Sequence, residues 1–125
     1  MNYLLDTHIF LWLLADPARL NEKATRIIQN PNKSVYVSAV TAVEIAIKKK
    51  LGKLDAPDGL ITEIRSRGLL ELPLRYTHGE AMQNLPDHHS DPFDRMLIAQ
   101  AQCEGFTIIT HDGKFENYPV GVLWT

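Results

Sequence analysis

Residues 91–110 read DPFDRMLIAQAQCEGFTIIT, and this stretch decides the fold. Asp91 followed by Pro92 is a helix-opening pair: a capping carboxylate, then a ring that presets the first helical φ. Residues 93–104 contain no helix breaker, Gly105 closes the helix, and Phe106-Thr107-Ile108-Ile109-Thr110 follows as an unbroken apolar run. A short run without polar alternation predicts a strand buried on both faces, as in a parallel sheet that lies beneath helices.

The same strand-then-helix alternation extends in both directions. Tyr3-Leu4-Leu5 is a short strand, and residues 7–15 are apolar on nearly every side, which suits a buried helix ended by Asp16-Pro17. Asn21 caps a helix that runs to Gln29. Residues 34–37 have the β-branched and aromatic bias of a strand, and Ser38 then starts a helix with Val40, Val43, Ile47 and Leu51 at helical spacing, ended by Gly52. A helix over residues 58–67 stops at Gly68. Residues 69–74 read as a strand, Thr77 with Glu80 has the spacing of a capping box, and residues 120–124 form a last strand. Together these predict an α/β domain over residues 1–125, with a parallel sheet covered on both faces and ligands bound at the carboxyl ends of its strands.

Composition sets the limits on function. The 125 residues carry 13 Lys+Arg against 15 Asp+Glu, a formal charge of −2, so binding of phosphate backbones by bulk charge is disfavoured. The longest early apolar stretch falls far short of the roughly 20 residues that span a bilayer, and no basic leader precedes it, so a cytoplasmic protein is expected. Cys103 is the single cysteine. It cannot close an intrachain disulfide, and its helical, apolar context predicts a buried thiol in a reducing compartment.

Four carboxylates stand where the sheet should bind a ligand. Asp6 follows the first strand, Asp112 follows the strand ending at Thr110, and Glu44 and Asp94 lie early in helices. Three of them, and the neighbouring Asp91, have a plain structural reading as well: Asp6 as a helix cap, Asp91 as a cap, Asp94 as a first-turn acid, Asp112-Gly113 as a turn. Glu44 is different, since an acid among Val40, Val43 and Ile47 needs a partner. As a set, closely packed carboxylates repel, and a hard divalent cation such as Mg²⁺ or Mn²⁺ relieves that repulsion. Such an ion would hold a phosphodiester and activate water for in-line attack. One or two of them would cancel or reverse the formal charge of −2. Lys48, Lys49, Lys50, Lys53, Arg65, Arg67 and Arg95 are the basic residues available to steer phosphates, although a lysine run is equally a solvated helix face and Arg95 equally an ion-pair partner of Asp94.

Four segments in order resemble the PIN-domain nucleases, and among them the ribonuclease toxins of VapBC toxin–antitoxin systems. These are Leu4-Leu5-Asp6-Thr7; Val37-Ser38-Ala39-Val40 leading to Glu44-Ile45-Ala46; residues 89–101; and Thr110-His111-Asp112-Gly113-Lys114-Phe115. The resemblance implies a three-layer α/β/α fold around a mostly parallel sheet and Mg²⁺- or Mn²⁺-dependent endoribonuclease activity. It implies an acidic site of Asp6, Glu44, Asp94 and Asp112, with Asp6 and Asp94 as metal ligands. Thr110 would orient the last carboxylate or a water, and Asp91 would assist from outside. It further implies a homodimer and a VapB-type antitoxin partner. His8 departs from the Asn or Ser often found two residues after the first aspartate, which removes a hydrogen-bonding group but leaves the acidic set intact.

Other readings fit less well. A haloacid-dehalogenase-type phosphatase needs a second acid where His8 stands, and a receiver-type signalling domain needs one at the end of the Tyr36-Val37-Ser38 strand. A catalytically inactive PIN-like binding module is opposed by acids at all four positions. The five histidines match no zinc spacing; His88-His89 reads as a loop pair or a phosphate contact, and Phe10 and Trp12 as core or dimer contacts.

Overall fold

The computed structural model describes residues 1–88 and 90–125. Strand β1 (Asn2–Leu5) is central in a five-stranded sheet of order β3-β2-β1-β4-β5, flanked by β2 (Ser34–Ser38), β3 (Leu70–Leu72), β4 (Thr107–Thr110) and β5 (Gly121–Trp124). Every pairing is parallel; Leu4 stands opposite Tyr36 on one side and Ile108 on the other. Because side chains alternate across a strand, this register splits the core in two. Tyr3, Leu5, Val35, Val37 and Ile109 face one cluster with Ile9, Phe10, Ala24 and Ile28. Leu4 and Ile108 face the other with Leu97, Ile98, Phe115 and Tyr118. Helices α1 (Thr7–Ala15), α2 (Glu22–Gln29) and α4 (Leu60–Ser66) therefore cover one face, and α5 (Tyr76–Ala81) and α6 (Pro92–Glu104) the other. Helix α3 (Ala39–Lys50) contributes Val40 to one cluster and Ile45 to the other. The result is the expected three-layer α/β/α fold, with a wholly parallel sheet.

The helix ends follow the local chemistry. Asn21 accepts from the Ala24 N–H at 2.9 Å and so caps α2, while its amide donates to the Trp124 carbonyl and its backbone N–H to the Thr125 hydroxyl. It thus ties the C-terminus to α2. Asn21→Ala is expected to cost about 1–2 kcal/mol. Thermal melting checks this, with Asn21→Asp, which keeps the capping oxygen, losing less.

Several expectations need correction. The apolar stripe of α3 is not its buried face: Val43, Ile47 and Leu51 are 51%, 45% and 62% exposed, and Val40, Thr41, Glu44 and Ile45 are buried instead. Two stripes one residue apart both satisfy the helical period, and packing selects the one that carries Glu44. Helix α4 begins at Leu60, because Gly59 before it adopts a left-handed φ of 75°. Strand β3 ends at Leu72, since Pro73 cannot donate to the ladder. Helix α5 starts at Tyr76 rather than Thr77, and the His78 Nδ1, not Glu80, accepts the Arg75 N–H at 3.0 Å. Cys103 is exposed, because it lies on the outer side of α6, away from Leu97, Ile98 and Ala101. Among the described residues, no helix is long and apolar enough to cross a membrane.

Candidate active site

The chain builds outward from β1 to β2 and β3, then returns to the other side for β4 and β5, so the strand order reverses between β1 and β4. In open α/β sheets, ligands bind at such a switch point, outside the carboxyl ends of the strands. Asp6 leaves β1 at that point, and its N–H donates to the Ile109 carbonyl at 3.0 Å. It occupies the cap position of α1 yet makes no side-chain cap bond, so the plain structural reading fails for it. Instead its Oδ2 accepts from the Thr110 Oγ1 at 2.8 Å, and that same hydroxyl accepts from the Asp112 N–H at 3.0 Å. Thr110 thus orients the first carboxylate and is bonded to the backbone of the last. Burial, opposed by the Thr110 bond and the charge of His8, pushes the Asp6 carboxyl above its ordinary range. Asp6 Oδ1 is buried without a partner.

Glu44 enters from α3, 2% exposed. Its Oε2 holds the Lys48 ammonium at 2.5 Å, and its Oε1 is the second buried oxygen without a partner. The hydrogen bond to Glu44 raises the Lys48 pKa, against the opposing effect of burial; the charges of Glu44, Asp91 and Asp94 raise it further. Beside this pair, the hydroxyls of Thr7 and Thr41 bond at 2.9 Å and join α1 to α3. Lys48→Met would leave Glu44 without its cation and is expected to lower stability in EDTA by about 1–2 kcal/mol. The deficit should shrink when Mn²⁺ is supplied in the melt.

Helix α6 delivers Asp91 and Asp94. Asp91 caps the helix, accepting from the N–H groups of Phe93 (2.8 Å) and Asp94 (3.4 Å). Asp94 is pushed up to about 8, first by burial and then by the charges of Asp6, Asp91, Glu44 and Asp112. Four carboxylates therefore act on it, three of them from other segments and Asp91 from the cap of its own helix. Asp112 also serves its turn, since its Oδ1 accepts from the Lys114 N–H at 2.9 Å.

All the donors are hard oxygens, which match Mg²⁺ or Mn²⁺ rather than zinc. Among the described residues, no three His, Cys, Asp or Glu side chains form a ready-made metal cage. The fit rests instead on Asp6 Oδ1 and Glu44 Oε1, since a buried carboxylate oxygen without a donor calls for a proton or a cation.

Sequence reasoning missed the supports of this cleft. The Ser38 hydroxyl accepts from the Val40 N–H at 3.0 Å and donates to Gln100 Oε1, while the Gln100 amide donates to the Pro73 carbonyl at 3.2 Å. This clasp holds the start of α3 against α6, the helices bearing Glu44 and Asp94. Buried His78 lies beside it, 3.1 Å from Glu104. A lone glutamine on the apolar side of α6 was the one local sign.

The expected basic patch is largely committed elsewhere. Lys49 pairs with Asp58 and Arg67 with Glu63. Arg95 ion-pairs with Asp87. Phe10 is core, and half-buried Trp12 carries the Arg19 guanidinium 4.0 Å from its ring centre. The His88 ring packs edge-on to Tyr118, and His89 lies outside the described residues.

The fold is a three-layer α/β/α sandwich with acidic side chains gathered at its switch point. Within that fold class the chain belongs to the PIN domain family, whose profile matches residues 3–121. No curated protein matches it in sequence. Among solved structures, it resembles a chain of VapBC2 from Rickettsia felis bound to a DNA fragment from their promoter, with a TM-score of 0.77 at 15% identity, covering 100% of this chain and 99% of that one. A chain of DNA-bound VapBC from Salmonella typhimurium gives 0.74 at 17%, covering 99% and 98%. A chain of FitAcB from Neisseria gonorrhoeae gives 0.63 at 20%, covering 97% and 96%. At such identities the likeness is one of fold.

Proposed function

We propose that residues 1–125 form one PIN domain that acts as a cytoplasmic, metal-dependent endoribonuclease, the toxin of a type II toxin–antitoxin pair. The observation that carries this reading is the acidic cleft itself, with Asp6 Oδ1 and Glu44 Oε1 buried and unpartnered beside an Asp94 whose carboxyl is pushed up to about 8. Asp6 and Asp94 would hold Mg²⁺ or Mn²⁺, with Glu44 and Asp112 completing the acidic set. When bound, the cation supplies charge neutralisation of the phosphodiester and activation of water. The residues do the rest. Thr110 fixes the Asp6 carboxylate through its hydroxyl, Asp91 sets the first turn of α6 and so the direction of Asp94, and Lys48 holds Glu44 in place through their ion pair. A VapB-type antitoxin is part of the proposal, supported by the likeness to chains from VapBC and FitAcB structures, and a homodimer is proposed with it.

Sequencing RNA ends after pulsed expression tests the function. Discrete new ends are expected, absent with Asp94→Asn; identical end profiles for the two proteins contradict it. A catalytically inactive PIN-like binding module is the second reading, favoured by the lack of a ready-made metal cage among the described residues. Calorimetric titration with Mn²⁺, with and without EDTA, separates them: saturable binding supports the nuclease and none supports the inactive module.

A further inference from the structure

Beside the acidic cleft lies a second, differently charged feature. A groove of about 520 Å³ is lined by Asp87, His88, Ser90, Arg95 and Lys114. Two chain segments each supply an acid to the cleft and a base to the groove: α6 carries Asp94 and Arg95, and the turn after β4 carries Asp112 and Lys114. Cleft and groove are therefore built on the same two segments.

We propose that this groove is a phosphate subsite, which takes the backbone phosphate of an RNA strand next to the bond being cut. The proposal rests on the endoribonuclease reading and adds where the strand lies. Arg95 is set in place for this: Nη1 donates to the Pro86 carbonyl at 2.8 Å and lies 3.5 Å from the Tyr118 hydroxyl, and its side chain is only 15% exposed. A guanidinium held in this way presents its charge with little ordering left to lose on binding.

Its anionic partner is Asp87, at 3.5 Å and with a side chain fully in solvent. The Asp87 end of the pair is fully solvated, so a phosphate that reaches Arg95 competes with a carboxylate that water also serves. Lys114 is exposed, and its ammonium makes no ion pair among the described residues; only its backbone N–H is engaged, with Asp112. Ser90 and His88 add further hydrogen-bonding groups, the latter steadied edge-on against Tyr118 at 5.4 Å. Lys48, Lys49 and Arg67 are tied up in pairs, whereas Arg95 and Lys114 both line this groove.

The test measures binding of a labelled single-stranded RNA by fluorescence anisotropy across a range of NaCl concentrations, in an Asp6→Asn background that prevents cutting. Lys114→Ala is expected to weaken binding about 3- to 10-fold at low salt and to reduce the slope of log K against log[salt] by about 0.7, the loss of one single-strand phosphate contact. Lys114→Glu should weaken it further, while the melting temperature and the Mn²⁺ affinity of otherwise wild-type protein stay as they were. Unchanged affinity and slope in both variants, with the parent binding RNA normally, overturns the groove and leaves the nuclease reading standing. Failure of the parent to bind any RNA overturns both.

Discussion

Asp6→Asn is expected to reduce RNA cleavage about a thousandfold or more, equivalent to roughly 4 kcal/mol of barrier. The amide is nearly isosteric, and its oxygen can still accept the Thr110 hydroxyl bond that Oδ2 now takes. What it removes is the charge on a buried carboxylate with one unpartnered oxygen. Loss of activity then reports on that charge and not on the fold. Stability separates the two: desolvation already opposes the ionised form of Asp6, so the variant should melt no lower than the parent in EDTA. A steady-state assay on a defined single-stranded RNA, paired with a melt of the same preparations, checks both halves. Cleavage within tenfold of the parent contradicts the proposed role.

The second large effect is the pH dependence of stability without metal. Asp94 is pushed from 3.8 up to about 8, and Asp6 moves in the same direction. The native state therefore keeps a proton that the unfolded chain releases near pH 4. Where the native state binds more protons, stability falls as pH rises, so it should be greatest below about pH 4 and be lost progressively up to about pH 8. Other carboxylates add their own acid limb, which makes pH 5 against pH 8 the useful comparison. Asp94→Asn should flatten this slope and raise stability at pH 8 by roughly 3 kcal/mol, less than the full shift implies because the site can relax. Mg²⁺ or Mn²⁺ should stabilise the parent at pH 8 and have much less effect on the variant. Urea unfolding in EDTA at the two pH values measures this, and a parent more stable at pH 8 than at pH 5 contradicts it.

Much of the fold was legible because its signals are local. Asn21, Asp91-Pro92 and Gly105 mark helix ends through bonds or dihedral angles that span a few residues. Unbroken apolar strands between helices specify a parallel sheet, and that topology alone brings the ends of β1 and β4 together. Asp6 and Asp112 were therefore readable as neighbours although they are far apart in the chain.

What escaped notice depends on packing across the chain. The buried face of α3 was assigned one residue away, since Val40, Val43 and Ile47 satisfy the helical period as well as Val40, Glu44 and Lys48 do. Only the position of α6 decides between them. The Ser38–Gln100 clasp joins residues 62 apart, and Thr7–Thr41 joins residues 34 apart, with no spacing rule to announce either. Lys48 looked like one lysine of a solvated run, yet it is the cation that holds Glu44. Cys103 shows the opposite error, because a helix of apolar composition still has an outer side.

The account stands or falls on whether this acidic cleft uses a divalent cation to direct water at RNA. The most direct measurement takes a single-stranded RNA with one mapped cut and compares it with the same strand carrying 2′-deoxyribose at that nucleotide, each in Mn²⁺ and in EDTA. Attack by water does not involve the 2′-hydroxyl, so both strands should be cut in Mn²⁺ and neither in EDTA. Cutting that persists in EDTA, or that stops when the 2′-hydroxyl is removed, contradicts the account.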